Sequence, residues 1–122
     1  MNPIRSPIPK GIQMNFESLL TIKRLVNEGY YRIKIHAVRH MIEEGFSEEN
    51  IIAAILGKSR IIEIYDEDKR CLILGYFLWD DRIKSPIHVV CDYSSRKLID
   101  IVTAYIPQKP WWISPTQRGR RS

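Results

Sequence analysis

"RIIEIYDEDKRCLILGYFLWDDRIKSPIHVVCDYSSRKLIDIVTAY", residues 60–105, is the stretch on which the fold turns. Four runs within it, RIIEIY, CLILGYFLW, SPIHVVCDY and KLIDIVTAY, are rich in β-branched and aromatic residues, which pack well on a pleated surface. The polar connections DEDKR, DDRIK and SSR separate them. The pattern predicts four strands near residues 60–65, 71–79, 86–93 and 97–105, joined as an antiparallel meander.

Before Arg60 the period is helical. In NFESLLTIKRLVNEG, Asn15 is placed to cap and Gly29 to stop a helix near 16–28, with Leu19, Ile22 and Val26 on one side. HAVRHMIEEG gives a helix near 36–44 whose core face is Val38, Met41 and Ile42, with Gly45 as its end. SEENIIAAILG opens on Ser47 as cap, with Glu48 and Glu49 where the helix dipole favours negative charge, and gives a helix near 48–56. The expected class is α+β, N-terminal helices followed by a four-stranded antiparallel sheet. Residues 15–112 are expected to form one domain, 1–14 a proline-rich extended arm, and 113–122 a basic tail. Both ends should be poorly anchored except at Trp111 and Trp112, whose rings can bury a large apolar area.

The chain has 122 residues, enough for one hydrophobic core, and its 44% apolar and 27% charged composition suits a soluble domain. No apolar run approaches the ~20 residues that span a bilayer, and the N-terminus lacks the apolar core of a signal peptide. A cytoplasmic protein with no membrane partner is expected. Cys71 and Cys91 read as two reduced core thiols, and no metal or other cofactor is expected. The net charge of +5 is divided unevenly, +5 over residues 1–40, −4 over 41–70 and +4 over 71–122. Basic ends suit a polyanion such as RNA, and equally an acidic protein.

One ionisable ring interrupts the third strand. His88 shares a face with Val90 and Asp92, because strand side chains alternate. An even-numbered connection to the last strand would put it on the face of Thr103 and Tyr105. A four-residue connection, Ser94 to Lys97, would set it directly opposite Thr103. An odd connection or a bulge would undo the match. On the second helix, His36 and His40 are one turn apart, but no third metal ligand follows at a characteristic spacing. The helical projection places His36, Arg39, His40 and Glu43 opposite the core face, with His40 solvated. Arg32, Lys34 and Arg39 make the start of that helix electropositive.

The segments HAVRHMIEEGFSEENI, GKSRIIEIYDED, LILGY, PIHVV and IVTAYIP together resemble the family known as domain of unknown function 4258, over residues 31–112. Relatives of this type also carry a proline-containing tail ending in Gln-Arg-Gly, here Gln117, Arg118 and Gly119. His36, His88, Thr103 and Tyr105 fall on the family's recurring polar positions. The family pattern usually has arginine four residues after the first histidine, where this chain has His40. Arg39 points about 100° away around the helix. The resemblance implies no activity, but the layout is similar to small ribonuclease toxins of the RelE, BrnT and barnase type.

Two functions are compatible with these residues. One is a metal-independent endoribonuclease, since RNA carries its own nucleophile in the 2′-hydroxyl and the protein need supply only proton transfer and positive charge. In that reading His36 and His88 move protons and Arg39 holds the phosphate. Thr103 and Tyr105 orient it, while Arg32, Lys34, Trp111 and Trp112 contact the RNA, and an acidic antitoxin-like protein would be the partner. The other is a non-catalytic module binding protein or nucleic acid. His36, His88, Thr103 and Tyr105 then form a hydrogen-bonded network locking helix to sheet.

Overall fold

Residues 10–109 and 111–119 are described in a computed structural model. Helix α1 (Lys10–Asn27) precedes a short strand, β1 (Tyr31–Ile33), then helices α2 (Ile35–Glu44) and α3 (Glu48–Leu56). Strands β2 (Arg60–Tyr65), β3 (Arg70–Leu78), β4 (Lys84–Asp92) and β5 (Ile99–Tyr105) follow, and a hairpin of β6 (Trp112–Ser114) and β7 (Gln117–Arg118) closes the described chain. The mixed α+β class and three helices agree with the sequence reading. The sheet does not: it has five strands in the order β1-β5-β4-β3-β2, and β1 runs parallel to β5. Three residues between two helices are too short to display a strand period. Their partners are set by tertiary contacts, Tyr31 opposite Ile99 and Ile33 opposite Ile101. Arg32 adds a two-pronged bond across the same pair to Asp100, at 2.8 and 3.1 Å.

Helix α1 starts at Lys10, so Asn15 lies inside it and residues 10–14 of the expected arm are helical. Proline fits ahead of or within a first helical turn, and nothing in KGIQM after Pro9 stops a helix. The rest of the expected arm, residues 1–9, lies outside the described residues. Helix α2 ends at Gly45, whose φ of 85° is one that side-chain-bearing residues rarely adopt. Helix α3 begins with a reciprocal capping box: the Asn50 N–H donates to the Ser47 hydroxyl, and the Ser47 N–H donates to the Asn50 side chain.

The helices cover one face of the sheet. Ile22, Leu25, Val26, Ala37, Ile51 and Ile55 pack there against Ile73, Ile87, Val89, Ile99 and Ile101. Cys71 and Cys91 lie opposite each other in the β3–β4 register, fully buried and free, and burial pushes the Cys71 thiol up to about 12. Leu72, Leu74 and His88 are buried too, yet they point to the other face. The C-terminal segment covers His88 there. It was expected as a loose basic tail, and instead it folds back as β6 and β7, held by contacts that carry no sequence period.

Helix and sheet meet closely where α3 crosses β3. A Cβ on Gly75 would sit 2.5 Å from the backbone oxygen of Ala54, so only a residue without a side chain fits. We expect Gly75→Ala to lower stability by about 1–3 kcal/mol, as overpacking does, read as a fall in the urea midpoint. An unchanged midpoint would mean that α3 can move off the sheet without loss.

Candidate functional site

On the face away from the helices, the register aligns four residues across four strands: Tyr105 opposite His88, His88 opposite Leu74, and Leu74 opposite Arg60. The strand pairing starts with Asp92 opposite Asp100, an odd connection that alone would turn Tyr105 away from His88. A bulge in β5 between Ile101 and Thr103 shifts the register by one and restores the match. Thr103 therefore pairs with Val90, and Tyr105 takes the place opposite His88 that was expected for Thr103.

His88 is fully buried and both its nitrogens are satisfied. Nε2 lies 2.7 Å from the Pro115 carbonyl, which can only accept, so Nε2 carries the proton. Nδ1 is then the acceptor for the Tyr105 hydroxyl at 3.3 Å. Trp112, itself 4% exposed, stands edge-on to the imidazole with ring centres 4.3 Å apart. Burial pushes His88 below the ordinary histidine value of 6.5; the Pro115 bond and Glu63 oppose the shift, and Arg118 adds to it. The ring is neutral and closed off, a fastening between strand and tail.

Arg118 completes that fastening. Its Nε and Nη2 each lie 2.7 Å from a Glu63 oxygen, and its guanidinium stacks 4.6 Å above the Trp112 ring. Tyr65 donates to the same Glu63 carboxylate. Bonding to Arg118 holds Glu63 below the usual carboxylate range, against its own burial. Burial and then the Glu63 bond push the Tyr65 phenol up to about 12. The Arg118 side chain is 56% exposed, so the ion pair by itself stabilises little. The packed Trp112 contributes more.

Beside this network lies a cleft of about 510 Å³, between α2 and the tail. His40, Glu43 and Glu44 form its helix wall, Tyr105 and Ile106 its floor, and Trp111, Trp112 and Arg118 its far side. Helix α2 turns an unexpected face inward. Ala37, His40, Met41 and Glu44 face the protein; Met41 alone of the expected core side is among them, while Val38 and Ile42 (79% exposed) face outward beside Ile35 (70% exposed). The reason is the sheet edge. Beyond β1 the last N–H of this edge, on Ile106, has no strand to pair with, and Glu44 Oε1 accepts it at 3.0 Å. Glu44 Oε2 lies 2.6 Å from His40 Nδ1, so one carboxylate fixes both the helix and the imidazole.

Of the residues expected to share a site, the structure brings together His88, Tyr105 and Trp112. Thr103 lies on the same face one pair further along. His36 and Arg39 do not join them: both are exposed on α2, and Arg39 lines a separate apolar depression with Ile35, Val38 and Ile42. Arg32 is bound to Asp100, and Lys34 precedes α2 with its backbone N–H on the Ile101 carbonyl at 2.9 Å. Trp111 is 61% exposed at the rim of the cleft. Sequence reading missed His40, Glu44, Glu63 and Arg118. The signals were present: His40 and Glu44 at helical spacing, and Glu63, a charge inside an apolar strand. Among the described residues no three His, Cys, Asp or Glu side chains gather to hold a metal ion, and no helix is long and apolar enough to cross a membrane.

The model of the family described as a domain of unknown function (DUF4258) matches residues 33–106. The chain belongs to that family. No curated protein and no solved structure matches the chain. The DUF4258 segment holds His40, Glu44, Glu63, His88 and Tyr105, but ends before Trp112, Pro115 and Arg118. Of the groups that enclose His88, Tyr105 therefore lies inside the matched segment and Trp112 and Pro115 outside it.

A histidine buried neutral gives stability that is full above its unfolded value and is lost as pH falls from 6.5 through its lowered folded value. Thermal melts should show the wild type losing more of its stability over that window than His88→Gln. Equal pH slopes would contradict a neutral, sealed ring. Truncation by His88→Ala should cost about 2–3 kcal/mol, because the Pro115 carbonyl and Tyr105 hydroxyl lose their partner.

Proposed function

We propose that the protein is a metal-independent endoribonuclease working in the cleft between α2 and the tail, with His40 rather than His36 or His88 as the proton-transfer group. The observation that supports this most is the Glu44–His40 pair. A carboxylate at Nδ1 keeps the proton on that nitrogen of the neutral ring, so Nε2 presents a lone pair to whatever occupies the cleft. In the reaction Nε2 takes the proton of a 2′-hydroxyl as its oxygen attacks phosphorus. The bond from phosphorus to the 5′-oxygen breaks, the leaving oxygen takes a proton from water, and the hydroxide so formed takes the proton held on Nε2, which returns the ring to its neutral form. The products are a 2′,3′-cyclic phosphate and a 5′-hydroxyl end.

Arg118 is the cation of this cleft. Two of its N–H groups are held by Glu63, and the remaining donors serve a phosphate oxygen. Trp111, 61% exposed, brings an aromatic ring to the rim, within reach of a base. In this reading the protein acts in the cytoplasm, and the basic ends of the chain suit an acidic inhibitor protein. Glu43 and Glu44 favour a second reading, a non-catalytic module, because two carboxylates in one cleft repel a polyanion and attract a cationic group of a protein partner.

The test is incubation of purified protein with labelled RNA in EDTA, with products resolved by length and end group. Cyclic-phosphate ends should form, and His40→Ala should slow their formation about 10²–10⁴-fold, the usual range for removal of a general base. Glu44→Gln should lower the rate by a smaller factor, and His88→Gln should leave the rate of the folded fraction within about threefold. Intact RNA with the wild-type protein, across pH and salt, sinks the nuclease and leaves the module.

A further inference from the structure

A second concavity lies at the opposite edge of the sheet, where α3 hands over to β2. It encloses about 520 Å³ and is lined by Lys23, Lys58, Ser59, Arg60, Leu74 and Tyr76. Among the described residues no carboxylate lines it, in contrast to the cleft beside His40. Lys23 Nζ donates to the Gly57 carbonyl at 2.8 Å, bringing its charge to the C-terminal end of α3. Lys58 and Arg60 are exposed and have no ion pair among the described residues. A fourth cation, Lys84, sits 4.7 Å from the centre of the Tyr76 ring. Gathering like charges around one hollow raises the energy of each, and an anion entering it relieves them all.

The geometry points to a binding site for the phosphodiester backbone of single-stranded nucleic acid, with Lys58 and Arg60 on the phosphates and Tyr76 stacking on a base. Size and shape favour a strand over a lone phosphate. The hollow is open and far larger than one phosphate group, and its one aromatic face is partly exposed. Stacking on Tyr76 is of use to a base and of none to an inorganic anion or an acidic side chain. Leu74, opposite Arg60, closes the inner end of this pocket beneath the sheet's outer face. The inference shares with the proposed nuclease only the choice of RNA as ligand.

The experiment is fluorescence anisotropy with a fluorescein-labelled 2′-O-methyl oligouridylate. It has no free 2′-hydroxyl, so binding is read apart from cleavage. Lys58→Glu with Arg60→Glu should weaken binding at least ~10-fold and reduce the slope of log affinity against log salt by about 1.4, that is ~0.7 for each phosphate no longer neutralised. Tyr76→Ala should weaken it about tenfold with little change in slope. A charge-matched control, Arg96→Glu with Lys97→Glu on the exposed β4–β5 connection, should cost less than about threefold. Both altered pairs are exposed, and Lys58→Gln with Arg60→Gln repeats the test with a smaller change of charge. Equal losses in the two charge-reversed proteins would mean non-specific attraction and overturn the site. So would unchanged affinity in the pocket variants, or tighter competition by pyrophosphate or oligoglutamate than by unlabelled oligouridylate. Binding of this kind without any cleavage of ordinary RNA would remove the nuclease and keep the pocket.

Discussion

The 2.7 Å bond from His88 Nε2 to the Pro115 carbonyl joins the middle of the sheet to a segment that follows it by more than twenty residues in sequence. A central strand of an antiparallel sheet with helices on one face has its second face open to water. This sheet buries Leu72 and Leu74 on that face, and apolar groups alone could be covered by almost any apolar segment. The imidazole makes the covering specific. A buried ring with one donor and one acceptor leaves about 1–3 kcal/mol of penalty for each polar group without a partner. Pro115 and Tyr105 must therefore both be in place, and Trp112 is brought edge-on to the ring as they are. The Arg118–Glu63 pair lies at the exposed margin of this arrangement and orients the hairpin more than it stabilises it.

The tail also makes the cleft. Its far side consists of Trp111, Trp112 and Arg118, all beyond the DUF4258 segment, while His40, Glu44 and Tyr105 lie inside it. The segment thus supplies one wall and the tail the other. Closing His88 off and opening a pocket beside His40 are two consequences of one docking event. This division explains why the strand histidine, the more conspicuous one in sequence, is the structural one. A ring at the centre of a sheet face is what a folded-back segment covers, whereas a ring on a helix at the sheet edge stays at the rim.

Helix and strand positions after residue 30 were legible because apolar and polar residues alternate there with a clear period and Gly45, Ser47 and Gly57 punctuate it. Three features were not. β1 is too short to show a period. The inward face of α2 contradicts its own hydrophobicity, because Ile35, Val38 and Ile42 give way to a line containing His40 and Glu44. A sheet-edge N–H that must be bonded outranked apolar burial there, and no count of apolar residues contains that edge. The fold of the tail rests on a carbonyl, an indole and a guanidinium, whose partners are distant in sequence: 55 residues separate Glu63 from Arg118, and 27 separate His88 from Pro115. Of the candidate site, His88 facing Tyr105 was readable from strand parity, although only because a bulge cancelled an odd connection. His36 and Arg39 stay exposed, as the helical projection places them, and so do not reach His88.

The two hollows divide the electrostatics of the molecule. The cleft combines an imidazole, two carboxylates and an ion-paired guanidinium, a set suited to moving a proton and poor at holding a polyanion. The pocket at β2 combines cations with no carboxylate among the described residues that line it, a set suited to holding a polyanion. Tyr105, His88, Leu74 and Arg60 lie on consecutive strands in one register row, so three strand spacings, about 14–15 Å at roughly 4.8 Å each, separate the two. A ligand able to use both must be flexible, anionic and at least that long. Under the proposed nuclease reading, the charge that grips such a ligand and the imidazole that would act on it sit in different hollows, so neither hollow has to supply both.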